Sequence, residues 1–297
     1  MQPRRGGRMS RTVIVTGADG GMGSQAVEQL LKGGCSVIMA CRTPWKAELK
    51  RASLLEKFPY ADLKLMQLDL CVPESIAAFV NAIKEDGITV DALFNNAGVL
   101  AHEYVQTAEG YESTLATNLI GPARLIKGLL TTEPSNSPAQ PGLFAPDAQI
   151  VNMVSLACYT GRINDDFFSH RDKKFHQIWR YSDSKLGFML YSLELQDRLP
   201  SMGYPGIQVD VADPGIVDTE MIRLGKWFDP LTDLIFRPIC NTPLRGATPA
   251  VNALQAGPEG PTRNIRYYVG KGFKPVPKRY VGHPRRTWLY EELMKRI

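Results

Sequence analysis

The chain has 297 residues, 44% of them hydrophobic and 22% charged, which excludes a disordered tail and suits a globular protein with a large core. The net charge of +5 sits at the ends: residues 1–11 carry +4 (Arg4, Arg5, Arg8, Arg11), and residues 261–297 carry ten Lys or Arg against Glu291 and Glu292, leaving 5 − 12 = −7 for residues 12–260. An acidic body argues against nucleic-acid binding, and no stretch approaches the roughly 18 apolar residues of a membrane span.

The start, MQPRRGGRMS, is basic without an apolar region behind it, so no secretory signal is expected, and Met9 is an alternative first residue. Apolar, β-rich runs follow at Thr12–Thr16, Ser36–Ala40, Leu63–Leu68, Ala92–Phe94, Gln149–Val154, Ile207–Ala212 and Ile265–Val269. Segments of helical length lie between them, among them Ser24–Lys32, Lys46–Lys57, Glu74–Glu85 and Tyr111–Leu130. Near-continuous apolar strands separated by helices predict a parallel sheet covered on both faces, in one doubly wound α/β domain of roughly seven strands. Thr131–Pro146, rich in Pro, Ser and Gly, is expected as a surface loop. Gly215–Pro243 is apolar between prolines (Trp227, Phe228, Leu231, Leu234, Ile235, Phe236) and is expected as a lid over a ligand.

Five scattered cysteines (Cys35, Cys41, Cys71, Cys158, Cys240) with no CxxC pair are expected as free thiols of a reducing, cytoplasmic compartment. The histidines (His102, His170, His176, His283) have no ligand spacing, and no metal is expected.

The first strand runs into Thr16-Gly17-Ala18-Asp19-Gly20-Gly21-Met22-Gly23 and then a helix. Glycines at such a turn let the backbone approach a pyrophosphate, which the free N–H groups of the helix start then hold. Further along come Asn95-Asn96-Ala97-Gly98, Asn118, Ser155, Tyr181-x-x-x-Lys185 and Pro214-Gly215. This ordered set, over residues 12–270, resembles the short-chain dehydrogenase/reductase family, and so implies a Rossmann-type fold. VIMACR ending at Arg42, IVNMVSLA around Ser155 and NTPLRGA at 241–247 resemble its retinol-dehydrogenase-like branch. Light-dependent protochlorophyllide reductases share the ACR signature.

An NAD-preferring site places a carboxylate where the second strand ends, and here Arg42 stands there, able to pair with a 2′-phosphate. NADP(H) is therefore expected over NAD(H), with Asp19 in the turn as an opposing charge. The resemblance implies further cofactor contacts at Asp69, Asn96, Ala97, Gly98, Pro214, Gly215, Val217 and Thr219. Asp213 stands where relatives often have His or Asn.

Tyr181 and Lys185, four apart on a helix, share one face. An ammonium about 4 Å away supplies roughly 4 kcal/mol at an effective dielectric of 20, enough to lower a tyrosine pKa by about 3 units. The resemblance makes Tyr181 the general acid and base, and makes Lys185 its tuner and the holder of the nicotinamide ribose. It makes Ser155 the donor to the substrate oxygen and Asn118 the holder of a water beside Lys185. Ser155 precedes Tyr181 by 26 residues because of an insertion, DDFFSHRDKKFHQ, expected to shape the substrate entrance.

The expectation is a soluble oxidoreductase acting on an apolar aldehyde, ketone or alcohol, retinoid- or lipid-like chemistry included. The other readings are a light-dependent double-bond reductase and a non-catalytic NADP-binding sensor or scaffold. The domain is expected over 12–270, after a flexible basic start (1–11) and before a basic extension packed on it (271–297). Family habit implies a homodimer or homotetramer through the helices near Asn118 and Tyr181.

Overall fold

Alternate residues of the first two strands serve opposite sides of one sheet, because successive side chains of a strand point to opposite faces. Val13, Val15, Val37 and Met39 enter one hydrophobic cluster, while Ile14, Ile38 and Ala40 enter the other. The computed structural model describes residues 10–131, 142–169, 175–217, 241–258 and 264–297. The strands are β1 (Thr12–Thr16), β2 (Ser36–Cys41), β3 (Leu63–Gln67), β4 (Val90–Asn95), β5 (Phe144–Met153), β6 (Gln208–Asp213), β7 (Arg266–Val269) and β8 (Gly272–Pro275). They form a single 8-stranded sheet in the order β3-β2-β1-β4-β5-β6-β7-β8. Every pairing is parallel except that of β7 with β8.

The helices are α1 (Gly21–Lys32), α2 (Pro44–Lys57), α3 (Pro73–Glu85), α4 (Ser113–Leu115), α5 (Gly121–Leu130), α6 (Gln177–Arg198), α7 (Pro243–Ala256), α8 (Lys278–Val281) and α9 (Arg286–Met294). α1, α2 and α7 cover one face through residues such as Val27, Leu30, Leu54 and Val251. α3, α5 and α6 cover the other through Phe79, Leu125, Ile126, Leu186 and Leu190. Strand order reverses between β1 and β4, so the loops at the carboxyl ends of β1, β4, β5 and β6 open onto one crevice, where ligands bind in such sheets.

The doubly wound expectation holds, with three differences. β8 is an added antiparallel strand, exposed throughout, so no apolar run marks it. β5 begins at Phe144, inside the stretch expected as a loop; Phe144 and Ala145 are buried, and Phe144 pairs with Val90. The expected helix at Tyr111–Leu130 is α4 and α5 joined by a π-helical turn at Ala116–Ile120, which contains Asn118.

The C-terminal segment lies against α6. Leu289 and Leu293 are buried, Tyr290 stacks on Tyr191 with centroids 5.8 Å apart, and Arg286 pairs with Glu194 and Asp197. At its end Lys127 and Arg124 of α5 donate to the carbonyl oxygens of Ile297 and Arg296. Among the described residues no helix is long and apolar enough to cross a membrane.

Candidate active site

The glycine turn is built for close backbone approach. Gly17 has φ +60°, where a side chain is strained, and its amide donates to Ala40 O at 2.9 Å. A Cβ on Gly23 would lie 2.2 Å from Gly17 O and 2.8 Å from Asn96 Nδ2. Gly20 caps α1 without a side chain, so the first N–H groups of the helix are left for an anion. Asn96 secures the turn from β4: its Nδ2 donates to Thr16 O (2.9 Å) and Gly17 O (3.2 Å), and Thr16 Oγ1 accepts from the amides of Asn96 and Ala97. Ala18 is buried beneath.

Asp19 lies in the glycine turn, and Arg42 directly follows β2. Both are exposed, and burial together with the nearby Asp19 carboxylate pushes the Cys41 thiol up to about 12. Asp69, next along the crevice, spends one carboxylate oxygen on the Cys71 amide at 2.9 Å.

Four expected chemical residues converge at the ends of β4 and β5. Ser155 follows β5; its hydroxyl accepts from the Ala157 amide and stands near enough to the Tyr181 phenol to favour its ionised form. Lys185 is buried one turn after Tyr181, with Nζ donating to Met153 O at 2.9 Å and lying 5.8 Å from the Tyr181 ring centroid. Asn118 Nδ2 donates to Val99 O and Ser184 Oγ, and its Oδ1 accepts from the Val99 amide at 2.8 Å. A Cβ on Gly98 would lie 3.3 Å from Asn118 Oδ1 and 3.4 Å from Lys185 Nζ, so glycine there keeps open the space between them.

Electrostatics differ from the sequence expectation. Burial pushes the Tyr181 phenol up to about 12, against the pull of the Ser155 hydroxyl, and pushes Lys185 down to about 8. Desolvation therefore dominates at both groups in the chain alone. Tyr181 is held as a proton donor, and Lys185 loses part of its charge near pH 8.

The loop after β6 completes the crevice. Gly215, at φ +70°, donates to Asp213 Oδ1 at 2.9 Å, and Val217 pairs with Asn241 in a parallel bridge. Asn241 Nδ2 donates to Pro214 O at 3.1 Å. Ideal Cβ positions on Gly246 and Gly21 bring Val217, Met22 and Pro243 together, so this loop borders the glycine turn. Thr219, Cys240 and positions 218–240 of the expected lid lie outside the described residues, as does His170.

Sequence reasoning missed a buried ion pair. Arg180, beside Tyr181, bonds Glu112 Oε2 at 3.1 Å with the two side chains 1% and 0% exposed, and also bonds Phe167 O of the insertion at 2.9 Å. Glu112 caps α4 by accepting from the Thr114 and Leu115 amides. The signal was an acid at the start of a helix, four residues ahead of the π turn. The four described cysteines are free, and among the described residues no group of three His, Cys, Asp or Glu could hold a metal.

The profile for short chain dehydrogenase matches residues 11–226. This chain belongs to the short-chain dehydrogenase/reductase family. Retinol dehydrogenase 14 of Homo sapiens is 30% identical over 285 residues, covering 89% of this chain and 81% of that protein. Retinol dehydrogenase 12 of Bos taurus is 27% identical over 280 residues, covering 94% and 79%. These relatives place the chain in the retinol-dehydrogenase-like branch. A solved structure of an uncharacterized protein from Mycobacterium Paratuberculosis superposes with a TM-score of 0.68 at 28% identity, covering 96% of this chain and 93% of that one.

The family makes the chain an NAD(P)-dependent oxidoreductase, and the crevice fits such a dinucleotide: the turn has no Cβ in the way, and α1 offers its amides. Gly23→Ala is expected to destabilise the fold by about 1–3 kcal/mol through overpacking. It is also expected to abolish saturable NADPH binding; denaturant unfolding and fluorescence titration measure the two effects.

Proposed function

We propose that this chain is an NADP(H)-dependent reductase or dehydrogenase acting on the carbonyl or alcohol group of an apolar substrate. The observation that carries this reading is the convergence of Ser155, Tyr181 and buried Lys185, the last two on one helix face, with the glycine turn across the crevice. In reduction, the Tyr181 hydroxyl gives its proton to the substrate oxygen while Ser155 donates to the same oxygen as charge develops there. Bound NADPH supplies the hydride. Lys185 faces the space that Gly98 leaves open and takes the ribose hydroxyls there. Asn118 Oδ1 keeps a lone pair toward that space for a water, its other polar capacity being engaged by Val99 and Ser184. The 214–217 loop is the expected seat of the carboxamide, with Thr219 following it.

Apolar chemistry is supported by the exposed Leu156 and Tyr159 beside Ser155, by Ile216 in the loop and by Leu244 at the start of α7. We assign residues 12–270 as the catalytic unit and 271–297 as an extension. Self-association through α5 and α6 would have to include α9, which covers α6. The cytoplasmic setting stays part of this reading.

Coenzyme choice follows from Arg42, an exposed guanidinium without an ion pair among the described residues. Arg42→Ala is expected to lower the NADP/NAD preference by roughly 10- to 150-fold, the loss of one charge-assisted contact of about 1.5–3 kcal/mol. Paired kcat/KM values for the two coenzymes measure this.

The function itself is tested by following NADPH absorbance against a panel of apolar aldehydes and ketones. Turnover supports the proposal. Tight NADPH binding without turnover on any carbonyl favours the sensor reading, and a bound pigment with light-dependent reduction favours the double-bond reductase.

A further inference from the structure

Residues Leu156–Tyr159 form a 3₁₀ turn directly behind Ser155, whose hydroxyl caps it by accepting from the Ala157 amide. On one side the chain leaving this turn is pinned to the start of α6. Thr160 Oγ1 donates to Ser182 Oγ at 3.0 Å, the Arg162 amide donates to Asp183 Oδ1 at 2.8 Å, and a Cβ on Gly161 would lie 2.4 Å from Ser182 O. Ser182 follows Tyr181, so these contacts set the Ser155 turn against the helix that carries the phenol.

From the C-terminal extension, α8 reaches the end of the same turn. Arg279 Nη2 donates to Tyr159 O at 2.9 Å, and its guanidinium carbon lies 4.9 Å from the Tyr159 ring centroid and 5.2 Å from that of Tyr280. The two rings meet edge to face with centroids 5.7 Å apart. Tyr280 is 1% exposed and anchors α8 in the core, so the fold fixes where Arg279 starts. Arg279 has no ion pair among the described residues; its guanidinium is spent on that carbonyl and the two aromatic rings. A planar guanidinium that both donates and stacks holds its partners in one orientation.

We propose that Arg279 is a positioning residue of the candidate active site: it holds the end of the Ser155 turn and so sets the apolar edge, Leu156 and Tyr159, along which the hydrocarbon part of a substrate lies. The extension takes a second hold further along the same connection. Arg285 pairs with Asp165 at 2.7 Å, and the Arg296 guanidinium carbon lies 4.5 Å from the ring centroid of buried Phe168. The connection from β5 to α6 is thus braced by the extension at Tyr159 and at 165–168, and by α6 between them. Arg279 makes the hold nearer to Ser155, four residues beyond it.

This role rests on the reading of Ser155 and Tyr181 as part of the site, so one arm of its test needs no turnover. Arg279 is exposed, and Arg279→Met keeps an unbranched stem, so the variant should retain its thermal midpoint and its NADPH affinity. Hydrogen exchange read by mass spectrometry in cofactor-free protein reports on the turn itself. The Cys158 and Thr160 amides, which donate to Ser155 O and Ala157 O, should exchange roughly 2- to 10-fold faster in Arg279→Met, the effect of one lost hydrogen bond. The second arm compares decanal with butanal. The KM for decanal is expected to rise by roughly 2- to 10-fold, while the KM for butanal and both kcat values stay as in wild type. Arg279→Lys, which keeps a cation and a donor for Tyr159 O, should recover most of both effects.

Unchanged exchange in the 156–160 stretch of Arg279→Met overturns the proposal. So does faster exchange with the preference for decanal over butanal intact, since the turn would then move without touching the substrate's edge. Faster exchange throughout the chain, with loss of NADPH affinity and thermal stability, means a general loosening and also overturns it. Should wild type reduce neither aldehyde nor any other of the panel, the function proposed above fails, and exchange alone decides whether Arg279 positions the turn.

Discussion

Tyr181→Phe is expected to lower kcat by about 10²- to 10⁴-fold, the range lost with a general acid, while NADPH still binds. The change removes one oxygen and leaves the ring against Lys185, 5.8 Å from its centroid, so the pocket keeps its shape. A variant that lost turnover only because the site collapsed would also lose NADPH binding and thermal stability, and this one should keep both. The pH dependence sharpens the expectation. In the chain alone the phenol sits at about 12 and Lys185 at about 8, so near pH 7 the tyrosine is protonated and the lysine charged, as reduction requires. Reduction should therefore hold through neutral pH and decline as Lys185 discharges above pH 8. Steady-state rates from pH 6 to 10 check this, and equal turnover by wild type and Tyr181→Phe would remove the assignment.

Breaking the Arg180–Glu112 pair should give the largest loss of stability. Arg180→Met leaves the Glu112 carboxylate 0% exposed and without its cation, which is expected to cost about 3–5 kcal/mol. The same change frees Phe167 O and loosens the joint between the α4 cap and the start of α6. That joint sets the π turn carrying Asn118 against the helix carrying Tyr181, so kcat should fall as well. Glu112→Gln in the Arg180→Met background should add little further cost, since the charge left behind is gone. Urea unfolding of wild type, both single variants and the double variant completes the cycle. Strictly additive losses would mean that the pair does not act as a unit.

Much of this architecture is legible in the chain. β1 and β2 are buried along nearly their whole length, so they show as near-continuous apolar runs, and the glycine turn stands out because Gly17 and Gly23 admit no side chain. Helical spacing puts Tyr181 and Lys185 on one face, and the ordered motifs around them single the pair out. What stayed hidden depends on contacts between distant residues. Glu112 and Arg180 are 68 positions apart, and Asp213 and Tyr267 are 54 apart; in sequence each is an ordinary polar residue. β8 is hidden for the opposite reason: every residue of GFKP is exposed, and no pattern distinguishes it from a loop. The depressed lysine and raised tyrosine are likewise unreadable from spacing, which fixes their separation but not how much water surrounds them.

The central claim is that the crevice between the glycine turn and Ser155, Tyr181 and Lys185 carries a hydride from NADPH to an apolar carbonyl carbon. Its most direct test uses NADPH deuterated at the nicotinamide C4, both faces labelled, with an apolar aldehyde from the panel and mass analysis of the alcohol formed. The account predicts one deuterium on the carbinol carbon of each product molecule, and no labelled product from Tyr181→Phe beyond its residual rate. Oxidation of the coenzyme with no deuterium in the alcohol would contradict it.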